Sequence, residues 1–208
     1  MTHTLPELRL YTFDEFIEWY PDNLDIHYEL HDGVIVEMPK PKGKHSDLIG
    51  YLIEELLITI REMGKRRIWT IPRESIVKPN NLTGYEPDII VLNQETIGTE
   101  TRWASESVIQ NATSVKLIVE VVSTNWQDDY YNKLRDYEAM GIPEYWIVDY
   151  AALGGRIFIG NPKVPTIFVC EMINGEYQMT RFRDSDRIVS PTFSQLNLTA
   201  EQVFDLGA

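Results

Sequence analysis

The segment from Leu117 to Asp149 constrains the fold more than any other part of the chain. It begins within an apolar, β-branched run, residues 115–122, which is too short and too rich in Val and Ile for a helix. Such a run predicts a strand that is covered on both faces. One acid, Glu120, lies inside it. A buried carboxylate is costly unless a metal ion, a cation or hydrogen bonds compensate for its burial.

A helix and a second strand follow this acid. Residues 123–125 are Ser, Thr and Asn, which are good N-cap residues, and residues 126–140 carry apolar side chains at i, i+4 and i+7. Lys133 lies beside that apolar stripe. Gly141 suits the left-handed position after a helix, and residues 145–148 predict another buried strand. The unit is therefore an α/β crossover with an acid on its first strand and a lysine on its helix.

Composition limits the classes of protein to which the chain can belong. Its 208 residues suit one domain, and the single cysteine, Cys170, excludes an internal disulfide and suits a reducing cytoplasm. Residues 1–20 lack the pattern of a secretory signal, and no apolar run approaches the roughly 20 residues of a membrane helix. We expect a cytoplasmic protein with no membrane partner. The formal net charge of −13 disfavours broad binding to nucleic acid, although a local basic cleft remains compatible with it.

The N-terminal part of the chain predicts a capped helix, a hairpin and a long helix. Residues 12–15 form a capping box, and Asp32-Gly33 between two apolar-rich runs is a strong hairpin signal. The hairpin register places Glu29 opposite Val36, either as an exposed edge residue or as an acid that points into a cleft. A basic turn, residues 39–44, then leads into a helix over residues 45–63. His45 in its first turn is either a partly exposed capping or packing residue, or a ligand or phosphate contact.

The remaining segments predict further strands. Residues 66–77 indicate a strand with a proline-bearing irregularity, and Asp88 lies at the start of a buried strand. Taken alone, Asp88 is typical of a strand-end aspartate that accepts hydrogen bonds from backbone amides. After Asp149 the chain is β-rich, with strands expected in three segments: residues 156–159, 166–173 and 176–182.

The candidate chemistry depends on Asp88, Glu120 and Lys133, because no phosphate-binding loop, zinc pattern or nucleophile elbow is present. Two carboxylates on neighbouring strands suit a hard cation, Mg²⁺ or alternatively Mn²⁺, which polarises a phosphodiester and lowers the pKa of an attacking water. A nearby lysine orients that water or offsets charge in the transition state.

Several motifs resemble those of the Uma-type family of bacterial restriction-endonuclease-like proteins, long carried as a domain of unknown function. They are P-D-I-I-V-L, I-V-E-V-V-S and K-L-R-D-Y-E-A-M-G-I-P-E-Y-W-I-V-D, preceded by Y-E-L-H-D-G-V-I-V-E-M. That family is similar to the PD-(D/E)xK nuclease superfamily. The resemblance implies an α/β (α+β mixed) fold with a restriction-endonuclease-like core, a mixed sheet flanked by helices, and a β-rich C-terminal extension. It also implies one domain over 1–208, with a core of about 12–150 and an extension of 151–208.

Carried over by residue, the resemblance implies that Asp88 and Glu120 bind the metal ion. The superfamily's lysine is expected two residues after the second acid, where this chain has Val122. Lys133 matches the lysine that the resembling family carries on the following helix. Glu29 is implied as a third acid of the catalytic group. Two further matches, His45 and Asp149, are supporting residues.

These observations leave two functional hypotheses. The first is a Mg²⁺-dependent endonuclease that hydrolyses nucleic acid, with DNA favoured over RNA and a homodimer expected for cutting both strands of a duplex. The second is a catalytically degenerate nuclease-fold module that acts in binding or regulation, with Glu120 and Lys133 reduced to a buried ion pair. Val122 and the acidic composition favour the second hypothesis, whereas the retained acids and the helix lysine favour the first.

Overall fold

A computed structural model describes residues 9–21 and 26–207 of the chain. The stretch of residues 1–20 considered for a secretory signal therefore lies partly outside the described residues. The helices are α1 (Phe13–Trp19), α2 (Gly43–Glu62), α3 (Trp103–Glu106), α4 (Lys133–Met140), α5 (Arg156–Ile159) and α6 (Ala200–Gly207). The strands are β1 (His27–His31), β2 (Val34–Met38), β3 (Trp69–Thr70), β4 (Ile76–Asn80), β5 (Thr83–Tyr85), β6 (Ile89–Asn93), β7 (Val108–Ile109), β8 (Val115–Val121), β9 (Glu144–Asp149), β10 (Thr166–Ile173) and β11 (Glu176–Phe182).

The described strands form two mixed sheets. The six-stranded sheet has the order β11-β10-β9-β8-β6-β3, and the five-stranded sheet has the order β2-β1-β5-β4-β7. Strands β8 and β9 are parallel and are joined by the predicted crossover through α4. Strands β10 and β11 continue the same sheet in antiparallel pairing, as the sequence predicted for these two segments. The C-terminal strands are thus part of the central sheet.

The six-stranded sheet is covered on both faces, which explains why its strands are apolar throughout. Helix α2 packs against one face through a stripe that begins at Leu48, together with α6 and the C-terminal segment. The crossover helix packs against the other face through Tyr130 and Tyr137. Glu120 lies on this second face, because its neighbours two residues away, Ile118 and Val122, belong to that cluster.

Two sequence predictions of strands are wrong. The expected strand over residues 66–77 is two strands in different sheets, because Pro72 lacks an amide donor and Glu74 adopts a left-handed φ of 58° that redirects the chain. The expected strand over residues 156–159 is the one-turn helix α5. Helical geometry buries Ile159 and leaves Ile157 84% exposed, whereas a strand would place both side chains on one face.

The hairpin is confirmed in its register and turn. His31 pairs with Val34 and Glu29 pairs with Val36 around the Asp32-Gly33 turn, in which both turn residues have positive φ. The capping box is also confirmed, since the Thr12 side chain accepts from the Glu15 amide and the Glu15 side chain accepts from the Thr12 amide. These local signals succeed because they depend on neighbouring residues.

The Gly84→Ala variant is expected to lose about 1–3 kcal/mol of stability, the usual cost of overpacking a core. A Cβ at Gly84 would lie 2.7 Å from Cε2 of Phe13, which is itself buried. The matched control is Gly50→Ala in the middle of α2, where a Cβ meets nothing within 4 Å and alanine favours the helix. Urea denaturation of both variants checks the prediction, and a Gly84→Ala protein as stable as the control would contradict it.

Candidate active site

A buried ion cluster joins the two sheets to the crossover helix. The Lys133 ammonium lies 3.0 Å from Oε1 of Glu120 on β8 and 3.1 Å from Oε1 of Glu29 on β1. The Glu29 side chain is fully buried, and the Lys133 and Glu120 residues are each 3% exposed. Of the two positions that the sequence left open for Glu29, the structure shows the inward one. The structure thus brings together three of the predicted catalytic residues.

The crossover helix begins with a π-helical turn over Asp128–Asn132, immediately before α4. This widened turn contains Asp129, which is buried and has Oδ1 3.9 Å from the Lys133 ammonium. Turns of this kind inside α-helices occur often at functional sites. The sequence predicted an uninterrupted helix with Lys133 beside its apolar stripe. The Lys133 side chain points into the cluster, where the sequence also predicted that it would meet Glu120.

Asp88 lies beside this cluster on the neighbouring strand. Extending the β6–β8 register by one residue places Asp88 opposite Glu120, and Oδ2 of Asp88 accepts a 2.7 Å hydrogen bond from the Val121 amide. His45 at the start of α2 has its Nε2 2.8 Å from the Val121 carbonyl oxygen and 3.6 Å from the same Asp88 oxygen. Asp88 therefore accepts a backbone amide at the end of its strand, as the sequence predicted. It also lies next to Glu120, as predicted.

The acids around Lys133 outnumber this single lysine, and burial affects their pKa values differently. Burial raises the pKa of Glu120 well above its usual range, and the nearby acids reinforce this shift against the opposing effect of Lys133. Burial likewise raises the pKa of Asp129 to about 8. Burial also acts on Glu29, but Lys133 and His31 outweigh it and lower the pKa of that carboxyl. The ammonium therefore stabilises the charge of Glu29, whereas burial and the neighbouring acids disfavour the charged forms of Glu120 and Asp129.

The lysine is held in its charged form by the same acids. Burial alone would lower the pKa of Lys133, but Glu120, Glu29 and Asp129 together raise it well above the usual value. A lysine that keeps its proton at neutral pH acts as a fixed positive charge and a hydrogen-bond donor. It does not act as a general base.

Sequence reasoning missed Asp129 and His31 as members of the cluster. The His31 ring is 2.8 Å from Oε2 of Glu29 through Nε2, and its Nδ1 is 3.8 Å from Oδ1 of Asp128. Two signals in the sequence indicate these residues. His31 follows Glu29 by two on one strand, which places both side chains on one face, and Asp129 precedes Lys133 by four on a helix.

Asp149, predicted as a supporting residue, lies in a separate hydrogen-bonded turn. Its Oδ1 accepts from the Leu153 amide, and its Oδ2 accepts from the Gly154 amide and the Tyr130 hydroxyl. The carboxylate therefore ties the end of β9 to the loop that follows. This geometry indicates a role in stability.

The Asp149→Asn variant is expected to lose about 1–3 kcal/mol, because an amide NH₂ must replace one oxygen that now accepts a backbone N–H. Thermal unfolding measures the loss. The exposed Asp47 on α2 supplies the control substitution Asp47→Asn, which should leave the melting temperature unchanged. Equal melting temperatures for the two variants would contradict the role of the turn.

The donor atoms of the site fit a hard divalent cation. Among the described residues, no three His, Cys, Asp or Glu side chains form a metal-binding group. Magnesium, however, often binds through only one or two carboxylates and keeps several waters. The contacts of Glu120 engage Oε1 and those of Asp88 engage Oδ2, so Oε2 and Oδ1 have no hydrogen-bond partner among the described residues. An added cation would stabilise the charged form of Glu120, which burial and the neighbouring acids disfavour.

Comparisons with known proteins give the family and agree with the fold. A protein-family model described as "Uma2: Putative restriction endonuclease" matches residues 13–201. The chain is also similar to a solved structure described as a "putative nuclease belonging to DUF820 from Anabaena variabilis ATCC 29413", with 20% identity and a TM-score of 0.71. The match covers 95% of this chain and 99% of that one, and at this identity it shows the fold alone. No curated protein matches the chain significantly. No helix of residues 9–21 and 26–207 is long and apolar enough to cross a membrane.

Proposed function

The chain belongs to the Uma2 family, and on that premise we propose that it is a divalent-metal-dependent endonuclease that hydrolyses phosphodiester bonds of nucleic acid, with DNA as the favoured substrate. The observation that carries the proposal is the buried cluster in which Lys133 lies within 3.1 Å of Glu29 and Glu120. Asp88 on the neighbouring strand supplies a further carboxylate. Carboxylates suit a hard divalent cation, and a lysine can stabilise negative charge on a phosphate.

Asp88 and Glu120 are the residues that would hold the metal ion, Mg²⁺ or Mn²⁺. Such an ion, when bound, polarises the phosphodiester and lowers the pKa of the attacking water. The Val121 amide fixes Asp88, and the Tyr137 hydroxyl donates a 3.1 Å hydrogen bond to Glu120. Because each acid is held through one oxygen, the other oxygen is oriented before a ligand arrives, which reduces the cost of binding.

Lys133 supplies the fixed positive charge of the proposed mechanism. It stabilises the negative charge that develops on the phosphate oxygens, a contribution that is large in a buried site. Glu29 holds this lysine, because its Oε1 accepts from the Lys133 ammonium and from the Glu86 amide while His31 contacts its Oε2. A predicted third catalytic acid is therefore assigned here to positioning Lys133.

Three further parts of the proposal concern the oligomeric state, the cellular compartment and the role of His45. A symmetric homodimer would place two sites on the two strands of a duplex. The single, buried Cys170 suits the reducing cytoplasm. His45, which contacts Val121 and Asp88, is assigned to supporting the proposed metal ligands.

A cleavage panel tests the proposed function. Duplex and single-stranded DNA and RNA are incubated with Mg²⁺, with Mn²⁺ or with EDTA, and the expected result is metal-dependent cleavage of DNA that EDTA abolishes. Thermal unfolding supplies a second readout, since an ion at 100 times its Kd adds about 2.7 kcal/mol of stability. Absence of cleavage on every substrate, together with a melting temperature that neither ion changes, would contradict the proposal.

A second candidate function is a nuclease-fold module that binds without cleaving. Two observations favour it: Lys133 already pairs with Glu120, and Asp88 already accepts a backbone amide. The same two acids would then be compensated without a metal ion. The cleavage panel separates the two candidates. A binding module should bind nucleic acid or protein equally well with and without divalent ions, and it should not cleave.

A further inference from the structure

The segment that follows β2 and enters the first turn of α2 carries three lysines and no acid. Its residues 39–44 read P-K-P-K-G-K, and Lys40, Lys42 and Lys44 are all exposed. In the described part of the chain none of the three forms an ion pair with an acid, although acids outnumber basic residues in the protein. This basic segment is therefore a local concentration of uncompensated positive charge.

The basic segment ends at the candidate active site. Lys44 directly precedes His45, whose Nε2 is 2.8 Å from the Val121 carbonyl oxygen and 3.6 Å from Asp88. His45 follows Lys40 by five positions, and an extended chain of that length spans at most about 18 Å. The backbone of all three lysines therefore lies within about 18 Å of His45, which contacts Asp88.

Charge and backbone chemistry indicate the kind of partner. A formal net charge of −13 repels a polyanion over most of the surface, so a polyanion that reaches the candidate active site needs locally positive contacts. Pro39 and Pro41 restrict the backbone of the segment, which lowers the entropy lost when its lysines become ordered on binding. Lysine ammonium groups contact phosphates as point charges and carry no base-reading geometry.

We propose that Lys40, Lys42 and Lys44 bind the phosphate backbone of nucleic acid and hold it beside the candidate active site. The inference rests on the proposed function for the class of polyanion. It adds the surface that recognises the substrate and specifies that this contact is independent of base sequence. The spacing of two residues between successive lysines allows neighbouring phosphates to be contacted along one strand.

The salt dependence of binding tests this surface. Wild type and the triple variant Lys40→Gln/Lys42→Gln/Lys44→Gln are titrated against labelled duplex DNA in EDTA, between about 50 and 200 mM salt. Each phosphate contact contributes about 0.9 to the slope of log Kobs against log salt, so the triple variant should reduce the slope by about 2.7. Each single Lys→Gln variant should reduce it by about 0.9. Thermal unfolding verifies that these surface changes leave the protein folded.

A second basic cluster, beyond the other end of α2, supplies the matched control. Beyond the C-terminal end of α2 lie Lys65, Arg66 and Arg67. The 20 residues of α2 span about 30 Å, which is roughly the distance between the two basic clusters. Their triple glutamine variant removes the same charge and should leave the slope unchanged. The inference is overturned if the control variant loses slope instead, if the variant of the basic segment keeps it, or if wild type binds no nucleic acid.

Further outcomes separate this inference from the nuclease proposal and from binding to an anionic lipid surface. Binding that depends on the lysines without cleavage under any metal would contradict the nuclease proposal and support the surface. Cleavage by a protein whose nucleic-acid binding does not depend on the lysines would support the nuclease proposal and contradict the proposed surface. Vesicles containing anionic lipid serve as a third ligand: loss of vesicle binding in the triple variant, with nucleic-acid binding intact, would overturn the inference.

Discussion

Replacement of Lys133 by methionine is expected to lower the free energy of unfolding by about 3–5 kcal/mol, the cost of breaking a buried ion pair. The ammonium lies 3.0 Å from Glu120 and 3.1 Å from Glu29, and all three side chains are at most 4% exposed. Methionine fills the volume but leaves two buried carboxylates without a compensating charge. Urea denaturation measures the loss, with Lys116→Met, a partly exposed position on β8, as the control.

The destabilisation of Lys133→Met is expected to grow with pH. Without the ammonium, burial raises the pKa of the remaining carboxyls above the ordinary glutamate value of 4.5, as it already does for Glu120 in the intact protein. A carboxyl with a raised folded-state pKa stabilises the fold while it is protonated, and this contribution is lost as pH rises from 4.5 through the folded-state pKa. The difference between variant and wild type should therefore be smaller at acidic pH than at alkaline pH.

The same variant is expected to lose about 100-fold to 1,000-fold in cleavage rate, the usual effect of removing a charge-stabilising donor. Combining it with Glu120→Gln separates stability from chemistry. The double variant removes both partners of one ion pair and should recover part of the lost stability, because neutral groups replace the uncompensated charge. Its cleavage rate should stay low. Full activity in a folded Lys133→Met protein would contradict the assigned role.

Replacement of Glu120 by glutamine is expected to reduce metal-dependent cleavage by about 1,000-fold or more, since a metal ion supplies several kcal/mol and each 1.4 kcal/mol is tenfold. Stability should change little, within about 1 kcal/mol, because glutamine still accepts from the Tyr137 hydroxyl. The raised pKa of Glu120 means that its charge is unfavourable in the fold, so a neutral isostere is tolerated. The metal-induced rise in melting temperature should also disappear.

Glu29→Gln is the matched variant that should give the opposite result for stability. The pKa of Glu29 is lowered, so its charge stabilises the fold, and neutralising it removes one partner of a buried pair at a cost of about 3–5 kcal/mol. Glu54→Gln on the exposed side of α2 controls for the change of charge alone. A metal response that survives Glu120→Gln, or equal stabilities of the two buried variants, would contradict the roles assigned to these acids.

Local sequence signals predicted most of the secondary structure and the family. The Asp32-Gly33 hairpin, the capping box at Thr12 and the crossover around Glu120 all depend on residues that are near in sequence, and all three are confirmed. The motif resemblance to the Uma-type family is confirmed by the family model over residues 13–201. Periodicity failed at residues 156–159, because the run of three apolar residues after Arg156 fits a strand and a helical turn equally well.

The sequence by itself determined that an acid must lie in a buried strand and that a lysine must follow on the packed helix, because hydrophobic periodicity fixes which positions are covered. Only the tertiary structure decided how the charges are matched. Glu29 reaches Lys133 from the other sheet, and a π-helical turn carries Asp129 into the same cluster. The pair of Glu29 and Lys133 joins residues that are 104 positions apart in the sequence. Electrostatic compensation in a buried site depends on distances of a few ångströms, which local sequence patterns do not specify.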